Sequence, residues 1–249
     1  VQGGKHEVAG QRCVDGDGRR LVARYNCTGC HIIENKGGDI RRLYQDQLTL
    51  APPILNGEGE KVQPNWLYNF VKAPVTIRPW LKLRMPTFGL PDDETYGIVS
   101  YFGAVDHLAV PYVHLDRAAF STESVDAGKL LMSKDNFDCF SCHQRGAEKP
   151  QGPPEGWAPD LGMAHVRLNP EWIVKWLHDP QKVMPGTKMP SYFTDPEGHS
   201  GPPDVLGGSD DAQIRALRDY ILSIGLPADT TASPTRAAGV TTSAPGSTQ

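Results

Sequence analysis

Two five-residue runs, Cys27-Thr28-Gly29-Cys30-His31 and Cys139-Phe140-Ser141-Cys142-His143, constrain this chain more than anything else in it. Two thiols three residues apart, with a histidine directly after the second, have the spacing of covalent c-type haem attachment. The thiols add to the two haem vinyl groups, and the histidine turns back to ligate the iron. Two other readings compete. A zinc site wants four converging ligands, and a dithiol redox pair sits in a βαβ setting. Neither context accompanies these runs. Two covalently attached haems c are therefore expected, with His31 and His143 as the proximal iron ligands.

The 249 residues suffice for two domains of ordinary size, and 26 Gly with 22 Pro put much of the chain in turns and loops. No run approaches the roughly 18–20 apolar residues that cross a bilayer, so any membrane association would come through partners. The opening Val1-Gln2-Gly3-Gly4-Lys5 is polar and does not read as a secretory signal, so residue 1 is expected to begin a processed or trimmed chain. Residues 1–107 carry 13 basic and 12 acidic groups, and residues 108–225 carry 11 and 16. The second half is thus the acidic one. That balance argues against nucleic acid and for protein partners met through modest surface charge.

The two halves parallel each other well beyond these runs, and an internal repeat changes the fold expected. Gly18 to Tyr25 and Gly128 to Met132 each read as a short helix delivering the chain to the first cysteine. Ala51-Pro52-Pro53-Ile54-Leu55 and Ala158-Pro159-Asp160-Leu161 share a P-x-L core. Trp66 to Pro74 matches Trp172 to Pro180, with Trp66/Phe70 and Trp172/Trp176 at i, i+4 on one helical face and a proline ending each helix. Then come Arg84-Met85-Pro86 and Lys188-Met189-Pro190. Helices opening on Asp92-Asp93-Glu94 and on Asp211 follow, with acids suited to the helix start. The main mismatch, Thr194 to Ser209, is Gly- and Pro-rich and reads as a surface loop.

Each half resembles a class I cytochrome c domain, and the chain as a whole resembles a tandem dihaem cytochrome c. The resemblance implies an all-α fold of two cytochrome c-type helical domains in tandem with extensive loops. The boundaries expected are an N-terminal extension at 1–11, domains at 12–107 and 122–226, a linker at 108–121, and a Ser/Thr/Ala/Pro-rich tail at 227–249. It also implies terminal helices packed across each other, a haem in an apolar pocket, and a loop methionine, commonly Met-Pro, as the second ligand. Met85 follows His31 by 54 residues and Met189 follows His143 by 46. The plainer use of each methionine is core packing. The repeated basic-Met-Pro context favours ligation, and His/Met coordination raises the reduction potential and leaves no open iron position. Met184, also followed by proline, is the rival to Met189, and His165 is a weaker candidate. From the family, a carbonyl near Pro53 or Pro159 accepts the Nδ1 proton of the proximal histidine. The plain alternative is a turn lining the crevice. Trp66 and Trp172 are expected as core or haem-pocket walls.

Electron transfer between protein partners is the function this implies, within a periplasmic or extracellular assembly such as a respiratory chain complex, because c-type cytochromes mature outside the cytoplasm. Two alternatives are a repeating unit of an extracellular cytochrome filament and a dihaem enzyme of peroxidase or thiosulfate-oxidising type. Both Met-Pro elements being present argues against a catalytic haem. Cys13 stands outside the repeat, as a small buried side chain, an intermolecular bridge or an axial sulfur. Trp80 and Trp157 have no assigned role, His6, His107, His114, His178 and His199 read as surface or capping groups, and the two tails are expected to be held by a partner.

Overall fold

A computed structural model describes residues 17–45, 47–108 and 120–226. Cys13, His6, His114, the extension at 1–11, most of the 108–121 linker and the tail at 227–249 lie outside the described residues.

The fold is all-α. The first half holds α1 (17–24), α2 (Cys27–Cys30), a two-residue hairpin of β1 (Ile32–Ile33) and β2 (Lys36–Gly37), then α3 (Glu58–Lys61), α4 (Pro64–Lys72) and α5 (Asp92–Val105). The second half holds α6 (Thr122–Leu131), a 3₁₀ turn at Cys139–Ser141, α7 (Ala164–Arg167), α8 (Pro170–His178), α9 (Pro180–Val183) and α10 (Asp210–Ser223). Each half encloses its own core. One is built on Val22, Leu67, Val71, Ile98 and Phe102, the other on Leu131, Ile173, Leu177, Ile214 and Leu217.

The first and last helices of each half meet at a glycine. A Cβ on Gly18 would lie 2.1 Å from Tyr101 Cβ on α5, and one on Gly128 would lie 2.1 Å from the Ala216 carbonyl oxygen on α10. Only a residue without a side chain lets these backbones approach so closely. Polar ties brace the crossings: Glu34 of the hairpin turn accepts from Arg19 of α1 (2.9 Å) and from Tyr101 Oη of α5 (2.8 Å), and Ser124 Oγ donates to Asp219 at 2.6 Å.

Helices α4 and α8 are nine residues each and begin on a proline, whose missing N–H costs nothing at the first helical position. Each ends in front of another proline, with Ala73 (φ −145°, ψ 86°) and Asp179 (φ −155°, ψ 86°) forced out of helical backbone. The buried residues are Leu67 and Val71 on one, Ile173 and Leu177 on the other. The aromatic pairs therefore lie one residue around from the stripe that enters the core. They are half-buried and stacked, Trp66 on Phe70 at 4.8 Å and Trp172 on Trp176 at 5.2 Å, both at 17°.

The segment 194–209 is more than a surface loop. Val205 and Gly208 are buried, and Gln213 of α10, fully buried, donates to the carbonyls of Pro202 (2.9 Å) and Val205 (2.8 Å). Asp210, the first residue of α10, accepts from Ser200 N (2.7 Å) and Ser200 Oγ (2.9 Å). Gln213→Ala leaves two carbonyls without their donor, and should lower unfolding free energy by about 1–3 kcal/mol. Denaturant titration checks this, and an unchanged midpoint would refute the tie.

The halves join along a short reciprocal seam. Val62 and Leu168 form an antiparallel bridge, Gln63 N donates to Arg167 O (2.8 Å), and Asn169 N donates to Lys61 O (2.9 Å). Lys61, Val62 and Gln63 stand 106 residues before Arg167, Leu168 and Asn169, so each donor meets the counterpart of its own acceptor. The side chains reciprocate: Gln63 Nε2 donates to His165 O and Leu168 O, and Asn169 Nδ2 donates to Glu60 O and Val62 O, all at 2.7–3.1 Å. Trp80 and Trp157 meet edge to face across the same seam, ring centroids 5.9 Å apart.

Candidate haem sites

Each C-x-x-C-H run is folded into one tight turn. The residue before the first cysteine is left-handed, Asn26 at φ 52° and Asp138 at φ 48°, a conformation that Asn and Asp adopt more readily than other side chains. The chain then closes on itself, with His31 N donating to Cys27 O and His143 N donating to Cys139 O, both at 2.9 Å. The two cysteines and the histidine of each run thus share a single turn. None of the four described cysteines is in a disulfide.

The imidazoles are set by what faces them. His31 Nδ1 lies 2.8 Å from the Pro53 carbonyl, and His143 Nδ1 lies 2.9 Å from the Pro159 carbonyl. A carbonyl only accepts, so Nδ1 carries the proton and the Nε2 lone pair is left for a metal. These carbonyls are held in place by backbone bonds from their own segments to the residues after each run: Leu55 N donates to Ile32 O (2.9 Å) and Leu161 N to Gln144 O (2.9 Å). Burial draws both histidines below the ordinary imidazole range, while the proline carbonyls pull the other way. A neutral imidazole is the ligating form. Burial also pushes the Cys27 thiol up, and Cys139 up to about 12, where Asp138 adds to the shift.

Met85 and Met189 are both half-buried. Cys139, Phe140, Trp172 and Met189 pack against the core of the second half, and Cys27 and Trp66 against that of the first. Met189 Sδ accepts from Trp176 Nε1 at 2.8 Å, and its loop is pinned by Gln181 Nε2, which donates to the carbonyls of Thr187 (2.8 Å) and Met189 (2.9 Å). Met184 starts the turn into this loop, Thr187 N donating to its carbonyl at 3.1 Å. Met85 is half-buried between Arg84, which folds back onto the carbonyls of Pro79, Leu81 and Leu83, and Pro86. His165 sits on α7 at the seam, and His178 lies 3.1 Å from Asp211.

At the seam between the halves lies a group of cations that sequence reading passed over. Lys61 (side chain 14% exposed) pairs with Glu58 (6%) at 3.0 Å and stands 5.8 Å from the Trp172 ring of the other half. Arg167 stands 5.0 Å from the Trp66 ring, again across the seam. Arg78 donates to Thr49 O (2.9 Å) and Ala51 O (3.4 Å). Burial pulls all three below their usual pKa, and Arg167 reinforces this at Lys61 and Arg78, yet a guanidinium stays charged. Arg167 Nε and Trp157 Nε1 are buried without a hydrogen-bond partner among the described residues. The signal was present in the sequence: Lys61 and Arg167 occupy equivalent places three residues before Pro64 and Pro170.

These residues fit haem c. Paired thiols and an oriented imidazole stand on one turn, and buried donors without partners suit the anionic edge of a porphyrin. Among the described residues, no cluster of three or more His, Cys, Asp or Glu gathers to hold a metal ion directly, and no helix is long and apolar enough to cross a membrane.

Residues 125–225 match the model of the Cytochrome c family. That segment contains Cys139, Cys142, His143 and Met189, and the match supports a haem-binding electron-transfer protein. No curated protein and no solved structure matches the chain.

Proposed function

We propose that this chain is an extracytoplasmic dihaem cytochrome c that passes electrons between protein partners, built from tandem cytochrome c domains at 12–107 and 122–226. One observation carries the reading: the same turn, histidine and proline carbonyl recur in the half outside the family match. Cys27 and Cys30 hold one haem and Cys139 and Cys142 the other. Bound haem supplies one-electron iron chemistry at each site. His31 and His143 are the proximal ligands, oriented by Pro53 and Pro159. Met85 and Met189 are the distal ligands, and two protein ligands per iron leave no position for a substrate. Trp66 and Trp172 wall the crevices and keep water out. The partners are redox proteins or subunits of an electron-transfer complex.

The experiment that tests this is the intact mass of the purified protein after denaturation. Two covalent haems are expected on the natural chain, and one on a Cys27→Ala/Cys30→Ala variant. A natural chain carrying one haem would end the dihaem reading.

A further inference from the structure

Asn56-Gly57 is the one asparagine–glycine step in the chain. An asparagine amide is open to attack by the backbone nitrogen of the residue that follows it. A side chain on that residue obstructs the approach, and glycine has none. The other asparagines precede Cys27, Lys36, Trp66, Phe70, Phe137 and Pro170, all of them bulkier and the last without an N–H.

The fold leaves this step open. Asn56 is exposed, and Gly57 turns left-handed (φ 73°, ψ 17°) to start α3. A Cβ on Gly57 would meet nothing within 4 Å, and among the described residues its N–H donates to no acceptor. A cavity of about 190 Å³, lined in part by Ile33, Asn35, Phe102 and Asp106, lies beside the pair. The nucleophile is therefore unengaged and has room to move. Asn35, at the tip of the β1–β2 hairpin, both activates and restrains the amide. Its N donates to Asn56 Oδ1 at 3.1 Å, and Asn56 Nδ2 donates to Asn35 Oδ1 at 2.7 Å. The first bond sets an N–H on the oxygen that takes up negative charge when the amide carbon is attacked. The second holds the departing nitrogen and keeps the side chain from swinging over Gly57 N.

The geometry points to Asn56-Gly57 as a self-modification site, where the chain deamidates through a cyclic imide under the restraint of Asn35. Gly57 N bonds to Asn56 Cγ, the Cγ–Nδ2 bond breaks, and ammonia leaves with the proton lost from Gly57 N. Water then opens the ring at either carbonyl, leaving an aspartate or an isoaspartyl link. The isoaspartyl product has one extra backbone carbon between Leu55, whose N fastens to Ile32 O, and α3. Either product adds a negative charge beside Glu34 and Asp106. Leu161-Gly162-Met163 holds the matching place 106 residues on, so the second half has no such step.

Incubation of the purified full chain in mildly alkaline buffer, followed by peptide mapping with mass spectrometry, tests this whatever the haem content. Asn56 should convert to the acid before Asn65 and Asn69 change, both exposed and both followed by aromatics. Asn56→Gln, whose ring would be six-membered, should abolish conversion at this position. Asn35→Gly keeps the backbone N–H and suits the left-handed turn (φ 61°), but removes the restraint. Conversion should then run about fivefold faster, the worth of one hydrogen bond. An Asn56 that outlasts Asn65 overturns the site, and an Asn35→Gly rate no higher than the parent's overturns the part given to Asn35.

Discussion

Valine in place of Gly128 should cost the second half more than about 3 kcal/mol and unfold it well before the first. Overpacking a core usually costs about 1–3 kcal/mol because neighbouring side chains give way. Here they cannot. The added Cβ would stand 2.1 Å from the Ala216 carbonyl oxygen and 2.7 Å from Tyr220 Cβ, and the oxygen belongs to the backbone of α10. Relief requires α6 and α10 to separate, which takes Leu131 and Leu217 out of contact and strains the Ser124–Asp219 bond. Gly18→Val should act likewise on the first half, through Tyr101 Cβ at 2.1 Å. Gly156 is the control: its ideal Cβ meets nothing within 4 Å, so Gly156→Ala should stay within about 0.5 kcal/mol of the parent. Calorimetry of the three variants reads this directly. A Gly128→Val protein that melts with the parent would show that the crossing is looser than described.

Met189→Ala is the second large effect. Axial ligands set haem potentials over roughly 0.8 V, so loss of the thioether should lower the midpoint of one haem by on the order of 0.1 V. The methionine–iron absorption band of that haem should vanish while the other keeps its own. Met85→Ala should do the same at the other site. Met184→Ala should leave both bands intact and the turn as well, because Thr187 N bonds only the Met184 backbone carbonyl, which alanine keeps. Persistence of the band in Met189→Ala would transfer the ligand role elsewhere, with His165 the residue to try next.

Much of this was legible in the sequence because it rests on short-range chemistry. The C-x-x-C-H spacing, the prolines that start and stop α4 and α8, and the terminal helices of each half are all local signals. The seam was not legible. Its hydrogen bonds join residues about 106 positions apart, and a lysine or arginine before a helix reads as a solvated charge until something buries it. Trp80 and Trp157 show no role in the sequence for the same reason: each finds its partner in the other half. The 194–209 segment has loop composition, and it takes Gln213 and Asp210, polar yet buried, to reveal that it is fastened down. The aromatic pairs show a further limit. Periodicity places Trp172 and Trp176 on one face, but it does not say that Ile173 and Leu177 hold the face that turns inward.

On the dihaem reading proposed above, the reciprocal bonding of Gln63 with Arg167 and of Asn169 with Lys61 has a consequence for electron traffic through the molecule. An isologous contact presents the same view from either side. A backbone related in this way prefers neither end as an entrance. Any rectification must therefore come from where the duplicate copies have diverged: lysine against arginine at the seam, Trp157 against Ala51, a near-neutral first half against an acidic second. Direction in this protein is a property of side chains laid over a scaffold that has none.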